Sequence, residues 1–239
     1  MADVAVICQK PFCTSLAAAE EAVAVAESAG ILLVVHENFR FKPWHTQVRR
    51  LLDAGALGTP YQLTFRLRPG DGQGPSAYLD RQPAFQGMAQ FLVRETAIHQ
   101  IDLFRFLFGA PAGVYADLRQ LNPAISGEDA GLLVLDWADG HRALFDGNRL
   151  ADHRARNRRL TMGEMTVEGA AATLFLDGDG GLWLRAHGSD DAAAVPYAFD
   201  NIDFGGDCVF RLQRHVVDHL CHGTAVQNSG RDYLANLRI

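Results

Sequence analysis

The chain has 239 residues, of which 48% are hydrophobic and 21% are charged, a composition typical of a globular protein large enough to bury a core. Its 22 Lys and Arg residues against 28 Asp and Glu give a net charge of −6. This argues against nucleic acid or a membrane as a partner, because both attract basic surfaces. No apolar run is long enough to cross a membrane and no signal-peptide pattern opens the sequence, so we expect a cytoplasmic protein whose four cysteines are reduced.

The first elements predicted along the chain form a parallel βαβ unit. Residues 3–8 are a continuous apolar run typical of a strand buried on both faces, and residues 17–29 are rich in the helix formers Ala and Glu. Gly30 can end this helix, and residues 31–35 form a second apolar strand. Two strands joined by one helix pair in parallel. Another helix is predicted over residues 44–54.

From residue 57 onward the pattern becomes that of an antiparallel α+β domain. Residues 61–68 alternate apolar and polar side chains, which predicts a strand with one solvent-facing side. Residues 69–87 are rich in Gly and Pro and predict an irregular loop, before a helix over residues 88–108. The remaining predicted elements are strands at about 114–121, 132–137, 142–145, 159–167, 172–176 and 182–185, and helices at 207–222 and from 230.

The βαβ unit lacks one feature that nucleotide-binding units of this kind share. Such units hold the pyrophosphate with a glycine-rich turn between a strand and a helix N-terminus. Gly70-Asp-Gly72-Gln-Gly74 lies instead in the predicted irregular loop, and residues 178–181 lie between two predicted strands and indicate a hairpin. Neither glycine cluster is in the strand–turn–helix context that phosphate binding requires.

Three motifs carry a resemblance to a known family. Gln9-Lys10-Pro11 follows the first strand, residues 36–43 (HENFRFKP) follow the second, and the helix after the loop contains Arg94-Glu95, His99 and Asp102. These motifs resemble those of the glucose–fructose oxidoreductase/inositol dehydrogenase/MocA (Gfo/Idh/MocA) oxidoreductases. The first resembles the family's Glu-Lys-Pro motif, and the second resembles the segment that follows the next strand. The third resembles the family's catalytic helix, whose pattern is Asp-x-x-x-His-x-x-Asp. The resemblance covers nearly the whole chain, with Gln9 in place of the usual Glu and Glu95 in place of the usual Asp.

The resemblance implies a fold and an assembly. Residues 1–56 would be the remnant of a parallel Rossmann (dinucleotide-binding) sheet whose first part is absent, and residues 57–239 a large open antiparallel sheet domain with helices on one face, for substrate binding and oligomerisation. It also implies a cis peptide at Lys10–Pro11 and a homodimer or homotetramer formed through the antiparallel sheet. Because an uncovered strand edge recruits partners, we expect residues 1–36 to lie in an intermolecular contact or to be held by a swapped segment.

The helix motif supplies candidate catalytic residues. Glu95, His99 and Asp102 are spaced i, i+4 and i+7, which places them on one helix face. A carboxylate one turn from an imidazole can orient the ring and stabilise its protonated form, and such a histidine suits acid–base catalysis. With the resemblance, this predicts Lys10, Glu95 and His99 as catalytic. The alternative is structural, with His99 at a polar helix edge and Asp102 paired with Arg105.

Lys10 ends a parallel strand, on the sheet edge where α/β proteins bind ligands. There it could hydrogen-bond the substrate hydroxyl or the nicotinamide ribose; the alternative is a solvent-exposed loop lysine. The cofactor-binding residues that the resemblance implies are Gln9, Lys10, Pro11 and Asn38, for NAD or NADP, although binding by a chain without the glycine-rich turn is in doubt.

The predicted substrate-binding residues are Arg40, Arg94 and Asp102. The forked guanidinium group of arginine suits a substrate carboxylate or phosphate. The alternative for the two arginines is an ordinary surface salt bridge.

A second histidine cluster is predicted on the helix over residues 207–222. His215, His219 and His222 share one face, but no suitably placed carboxylate joins them. We therefore predict a solvated helix face and no metal site.

Two functions remain open from the sequence. The first is an NAD(P)-dependent oxidoreductase that acts on a sugar, cyclitol or related hydroxy compound by hydride transfer. The second is a catalytically inactive homologue that serves as a binding or oligomerisation module. Neither hypothesis involves nucleic acid or a membrane.

Overall fold

A computed structural model describes residues 4–239. The chain begins with a two-stranded parallel sheet in which β1 (Val6–Gln9) pairs with β2 (Leu33–His36). Helix α1 (Leu16–Ser28) connects them, and its first turn is capped by the Ser15 hydroxyl, which accepts a hydrogen bond from the backbone of Ala18. Both strands therefore end at the same edge of this sheet, and Gln9 lies beside His36.

The second sheet has eight strands and is mostly antiparallel. Its order is β10-β9-β8-β7-β3-β6-β5-β4, and β3 and β6 are its one parallel pair. The strands are β3 (Pro60–Leu67), β4 (Gly113–Arg119), β5 (Ala130–Asp136), β6 (Arg142–Asn148), β7 (Gly163–Gly169), β8 (Ala172–Leu176), β9 (Leu182–Ala186) and β10 (Ala193–Ala194). The fold class expected from the sequence, a partial parallel sheet followed by a large open antiparallel sheet domain, is confirmed.

Helices cover one face of the large sheet. α2 (Pro43–Asp53) and α3 (Ile98–Phe108) bury Trp44 and Phe104 against sheet residues that include Phe65 and Phe145. The alternation of buried and exposed residues along β3 explains this, because every second side chain of a strand points to the same face. The opposite face carries polar residues such as Arg66.

A smaller apolar cluster joins the first sheet to the rest of the protein. It contains Phe12, Val23 and Val35 from the βαβ unit, Ile98 from α3 and Tyr233 from α5 (Gly230–Arg238). One face of the βαβ unit is therefore covered by α5 of the same chain, while Val4, Val6 and Ile7 remain exposed. A partner at β1 stays a prediction, as does the domain division at residue 56.

Some element boundaries differ from the sequence expectation. The helix predicted from residue 88 begins with a π-helical turn at Leu92–Ala97, because Glu128 accepts hydrogen bonds from the backbone of Leu92 (2.9 Å) and Val93 (3.0 Å) and fixes the start. The strand predicted from residue 159 begins at Gly163, since residues 159–162 form a turn that ends at Met162 with φ of 65°.

Helix α4 (Phe204–His222) starts with a left-handed turn formed by Gly205, Gly206 and Asp207. A Cβ atom on Gly206 would lie 2.8 Å from Pro43 Cδ, and one on Gly205 would lie 3.0 Å from Lys42 Cε. The glycines therefore allow this turn to pack directly on the start of α2. Within residues 4–239, no helix has both the length and the apolar character needed to cross a bilayer.

Candidate active site

A cavity of about 200 Å³ lies between the carboxyl edge of the small sheet and the loops of the large one. Five residues singled out in the sequence line it: Gln9, Lys10, Asn38, Glu95 and His99. Parallel strands β1 and β2 deliver the first three to one edge, as their shared direction requires. The π-helical turn and the start of α3 supply Glu95 and His99.

Lys10 is fixed by Glu95. The peptide bond between Lys10 and Pro11 is cis, as the family resemblance implied. The Lys10 ammonium donates a hydrogen bond to the Glu95 backbone carbonyl (2.7 Å) and forms an ion pair with Glu95 Oε2 (2.8 Å). Lys10 is therefore a held cation on the cavity wall rather than a loop lysine free in solvent.

The carboxylate that orients His99 is Glu37. The sequence favoured Glu95 for this role, but His99 Nδ1 lies 2.6 Å from Glu37 Oε1, while Glu95 turns toward Lys10. Glu37 is fully buried and also accepts hydrogen bonds from the backbone of Phe39 (3.2 Å) and from the Tyr233 hydroxyl (3.4 Å). Its position directly after a parallel strand was the signal in the sequence, because that edge is where ligands bind.

The protonation state of this pair follows from burial and charge. Burial opposes ionisation of Glu37, yet His99 and Lys10 beside it hold its pKa below the usual value. Burial lowers the pKa of His99, against the opposing effect of Glu37 and Glu95. At neutral pH the pair is therefore a carboxylate and a neutral imidazole whose Nδ1–H donates to Glu37. This tautomer leaves the Nε2 lone pair available as a base.

Replacing Glu37 with Gln is expected to lower the pKa of His99 further, because the negative charge that favours the imidazolium is lost while the side-chain shape is kept. NMR titration of the imidazole resonances measures this pKa directly. The exposed His222, at the C-terminal end of α4, provides the reference resonance that the substitution does not touch. An unchanged His99 titration in E37Q would contradict the assignment of Glu37 as its partner.

His99 is one layer of a stack that ends in a buried lysine. The His99 and Phe39 rings are stacked at 3.9 Å with an interplanar angle of 5°, and Lys42 Nζ lies 3.5 Å from the centre of the Phe39 ring. Because a ring stacked so closely fills one face of Phe39, the ammonium lies over the other. Lys42 is 0% exposed, and its ammonium has no hydrogen-bond partner within residues 4–239. Burial lowers the pKa of Lys42 to about 8.

Replacing Lys42 with Met is expected to raise the free energy of unfolding at pH 7 by about 1–3 kcal/mol, because a buried charge without a partner is removed. Between about pH 8 and the ordinary lysine pKa of about 10.4, the unfolded wild-type chain binds a proton that the folded protein has lost, so wild-type stability should rise with pH there. K42M should lack this rise. Urea unfolding across the pH range measures both.

The matched control is Lys42→Arg, which keeps a charge that is not lost in this range. It should be less stable than wild type and should also lack the rise. A wild-type stability that stays flat above pH 8 relative to K42M would show that Lys42 is not a buried, unpartnered ammonium.

Arg40 and Asp102 lie behind the cavity and bind each other. Arg40 Nε donates to Asp102 Oδ2 (2.8 Å), Arg40 Nη2 lies 2.5 Å from Oδ1, and Asn236 donates to the same carboxylate (2.8 Å). Both side chains are buried. Asp102 is thus not paired with Arg105, which binds Asp232 instead (3.1 Å). A substrate-binding role for Arg40 and Asp102 stays a prediction. Because the two side chains are buried and bind each other, the geometry favours a structural role in which they hold the loop after β2 in place.

Two other predicted residues lie at a second cavity of about 440 Å³. Pro11 and Arg94 line it, and Arg94 donates to the backbone carbonyls of Cys13 (3.0 Å) and Thr14 (3.2 Å). Arg94 and His99 are therefore not brought together. The roles given to Pro11 and Arg94 stay predictions.

The histidines of α4 interact with the loop that follows the helix. His215 Nε2 accepts a hydrogen bond from the backbone of Gln227 (2.8 Å), and His219 Nδ1 lies 2.6 Å from the Thr224 carbonyl. Within the described part of the chain, no three His, Cys, Asp or Glu side chains are grouped as metal ligands are, and the four cysteines are free thiols.

The loops of the large sheet add charged residues to the cavity that the sequence did not reveal: Asp71, Arg81, Arg149 and Arg159. Arg149 is buried and binds Asp71 through both its Nε (3.2 Å) and its Nη2 (2.7 Å). The sequence predicts Asp71 and Arg81 in an irregular loop, Arg149 between two strands and Arg159 at the start of a strand. The four residues meet at one cavity because of the order of the strands in the sheet, which a single sequence does not reveal.

The sequence of this chain is similar to those of known oxidoreductases. The GFO/IDH/MocA C-terminal domain family model matches residues 45–175. A D-apiose dehydrogenase from Paraburkholderia graminis is 36% identical and aligns with 100% of this chain and 63% of its own length. A D-apiose dehydrogenase from Rhizobium rhizogenes is 29% identical, with 95% and 66% covered. The chain thus spans less than two thirds of the length of these two relatives.

A solved structure gives the same result in three dimensions. An oxidoreductase from Agrobacterium radiobacter, in complex with NAD+, L-tartaric acid and magnesium, superposes with a TM-score of 0.84 at 27% identity. The match covers 98% of this chain and 68% of that one. The inositol dehydrogenase homologue from Azotobacter vinelandii, complexed with NAD+, superposes with a TM-score of 0.78 at 13% identity, which supports the fold alone.

Proposed function

Because the chain belongs to the Gfo/Idh/MocA family of oxidoreductases, we propose that it catalyses NAD(P)-dependent hydride transfer to or from a hydroxylated small molecule. The observation that carries this proposal is the pairing of neutral His99 with buried Glu37 on the wall of a cavity that also holds Lys10. A base, its orienting carboxylate and a cation around one cavity are the groups that alcohol oxidation requires.

The residues present fit the nicotinamide end of the cofactor. Asn38 Oδ1 is buried at the cavity wall and accepts no hydrogen bond within residues 4–239, so it can accept one from a ligand amide such as the carboxamide of nicotinamide. Gln9 and Lys10 lie on the same wall. The described residues contain no glycine-rich turn between β1 and α1, so the pyrophosphate needs contacts that residues 4–239 do not supply.

The chain's own residues move one proton and stabilise one charge. In the oxidising direction, Nε2 of His99 takes the proton of the substrate hydroxyl, and Glu37 stabilises the resulting imidazolium through Nδ1–H. The Lys10 ammonium, held by Glu95, stabilises the developing alkoxide oxygen. NAD(P)+, when bound, accepts the hydride from the substrate carbon. In the reducing direction the same groups act in reverse.

The relatives support a polyol, sugar or hydroxy-acid substrate. Two are D-apiose dehydrogenases, and the Agrobacterium radiobacter structure holds L-tartaric acid beside NAD+. All three names concern small compounds with neighbouring hydroxyl groups. A homodimer or homotetramer through the open face of the large sheet remains part of the proposal.

The second candidate is a binding or oligomerisation module without catalysis, which is consistent with residues 4–239 having no glycine-rich turn between β1 and α1. Calorimetric titration of the 239-residue chain with NADH and NADPH separates the two. Micromolar binding, together with reduction of NAD(P)+ by a polyol or hydroxy acid, supports the enzyme. No binding at millimolar cofactor supports the module.

A further inference from the structure

The cavity has a charge opposite to that of the protein. The chain carries a net charge of −6, yet four cationic side chains line the cavity against two carboxylates. The cations are Lys10, Arg81, Arg149 and Arg159, and the carboxylates are Asp71 and Glu95. A concave site with an excess of one charge attracts ligands of the opposite charge.

Pairing within the cavity leaves the excess charge on two arginines. The Lys10 ammonium is paired with the Glu95 carboxylate at 2.8 Å. Arg149 is neutralised by Asp71, which binds it through both carboxylate oxygens and also accepts a hydrogen bond from the Tyr78 hydroxyl (3.0 Å). Both carboxylates of the cavity are therefore already engaged.

Arg81 and Arg159 remain. Arg81 Nη2 reaches Asp71 Oδ2 only at 3.4 Å, and it shares this oxygen with Arg149. The Arg159 guanidinium makes no ion pair or hydrogen bond within residues 4–239 and lies 5.9 Å from the Phe204 ring. Burial and the positive charge of Arg81 together lower the pKa of Arg159. Two like charges thus face one cavity, an arrangement that an anion between them stabilises.

The position of the two arginines separates them from the cofactor-facing wall. Arg81 belongs to the loop after β3 and Arg159 to the turn before β7, whereas Gln9, Lys10 and Asn38 come from the small sheet. The Phe204 ring contacts both sides of the cavity, since it lies 5.9 Å from the Arg159 guanidinium and 6.3 Å from the Phe39 ring. A ligand that reaches from His99 to the arginines therefore extends across the cavity.

We propose that Arg81 and Arg159 form a subsite for the carboxylate of the substrate, so that this protein acts on a hydroxy acid or sugar acid in preference to a neutral sugar. The inference rests on the proposed function for the hydroxyl at His99, whereas the carboxylate subsite stands on the two arginines alone. The planar fork of arginine binds a carboxylate through two hydrogen bonds, which a neutral hydroxymethyl group does not replace.

Binding of L-tartrate and L-threitol tests the subsite, because the two share one carbon skeleton and one pair of hydroxyl groups and differ in the carboxylates. Calorimetry on the wild-type chain is expected to give at least tenfold tighter binding of L-tartrate. R81Q and R159Q should each weaken L-tartrate binding about tenfold and leave L-threitol unchanged. Both residues are exposed, so the variants should fold.

Arg156→Gln is the matched control, since Arg156 lies on the same loop as Arg159, pairs with Asp179 and does not line the cavity. It should not alter L-tartrate binding. NADH and NADPH titrations of R81Q and R159Q distinguish a substrate carboxylate from a cofactor phosphate. Weakened cofactor binding with unchanged L-tartrate binding would overturn the proposal.

The two proposals fail separately. Arginine-dependent L-tartrate binding by a chain that shows no hydride transfer with any hydroxy acid would preserve the subsite and reject the proposed reaction. Oxidation of a neutral sugar, with L-tartrate bound no better than L-threitol, would preserve the reaction and reject the subsite.

Discussion

Replacing His99 with Ala is expected to lower kcat for hydride transfer about 10²–10⁴-fold, the range that general acid–base catalysis contributes. His99 is the group whose protonation state, partner and position all suit removal of a hydroxyl proton, with Nδ1 bound to Glu37 at 2.6 Å and Nε2 left as the base. The variant removes the base while Lys10 and Asn38 stay in place. Steady-state kinetics measure the loss, and calorimetry should find NADH binding unchanged within about threefold.

Two further measurements make this result specific. His222→Ala, exposed at the C-terminal end of α4, is the control and should keep wild-type kcat. Added imidazole should restore part of the H99A activity if the missing group is a base. Wild-type kcat in H99A would reject the proposed chemistry, and lost NADH binding would assign His99 to the cofactor instead.

Replacing Asp102 with Ala is expected to lower the free energy of unfolding by about 3–5 kcal/mol. Arg40 is 7% exposed, and its two close contacts to this carboxylate would be lost, which leaves a buried guanidinium charge without its main partner. Asp232, 3.8 Å from Arg40, is too distant and too exposed to replace it. Urea unfolding followed by circular dichroism measures the change.

The control is Asp218→Ala, which removes half of an exposed pair with Arg214 on α4 and should cost less than about 1 kcal/mol. The double variant Arg40→Met/Asp102→Leu should recover most of the lost stability, since a buried pair replaced by apolar side chains is often neutral. A D102A variant as stable as D218A would show that Arg40 finds solvent, contrary to its burial.

The sequence alone was sufficient to predict those features that depend on residues close together in the chain. The parallel pairing of β1 and β2 was predictable because a single helix joins two apolar runs, and the positions of Lys10 and His99 followed from motifs on those elements. The i, i+4 spacing also predicted a shared face for Glu95 and His99, and both line the cavity, with Glu95 in the π-helical turn before α3. Asp102, predicted on the same face, lies behind the cavity and binds Arg40.

What the sequence could not supply depends on residues far apart in the chain. Glu95 was the expected partner of His99, but it lies nearer to Lys10, whose place is set by a strand more than eighty residues earlier. The start of the π-helical turn before α3 is fixed by Glu128, which follows it in the sequence. Arg159 was assigned to a strand because local alternation does not reveal the turn that carries it to the cavity.

Helix α5 and the loop before it carry the residues that hold Glu37 and Asp102 in place behind the cavity. Asn228 donates to the Glu37 carbonyl (2.6 Å), Tyr233 reaches the Glu37 carboxylate and Asn236 holds Asp102. During synthesis on the ribosome, every residue that lines the cavity around His99 is made before these three. A nascent chain can form the large sheet and α3 early, but the supports of His99 and Arg40 can close only after residue 236 has emerged, so the cavity forms before its residues are held in their final positions.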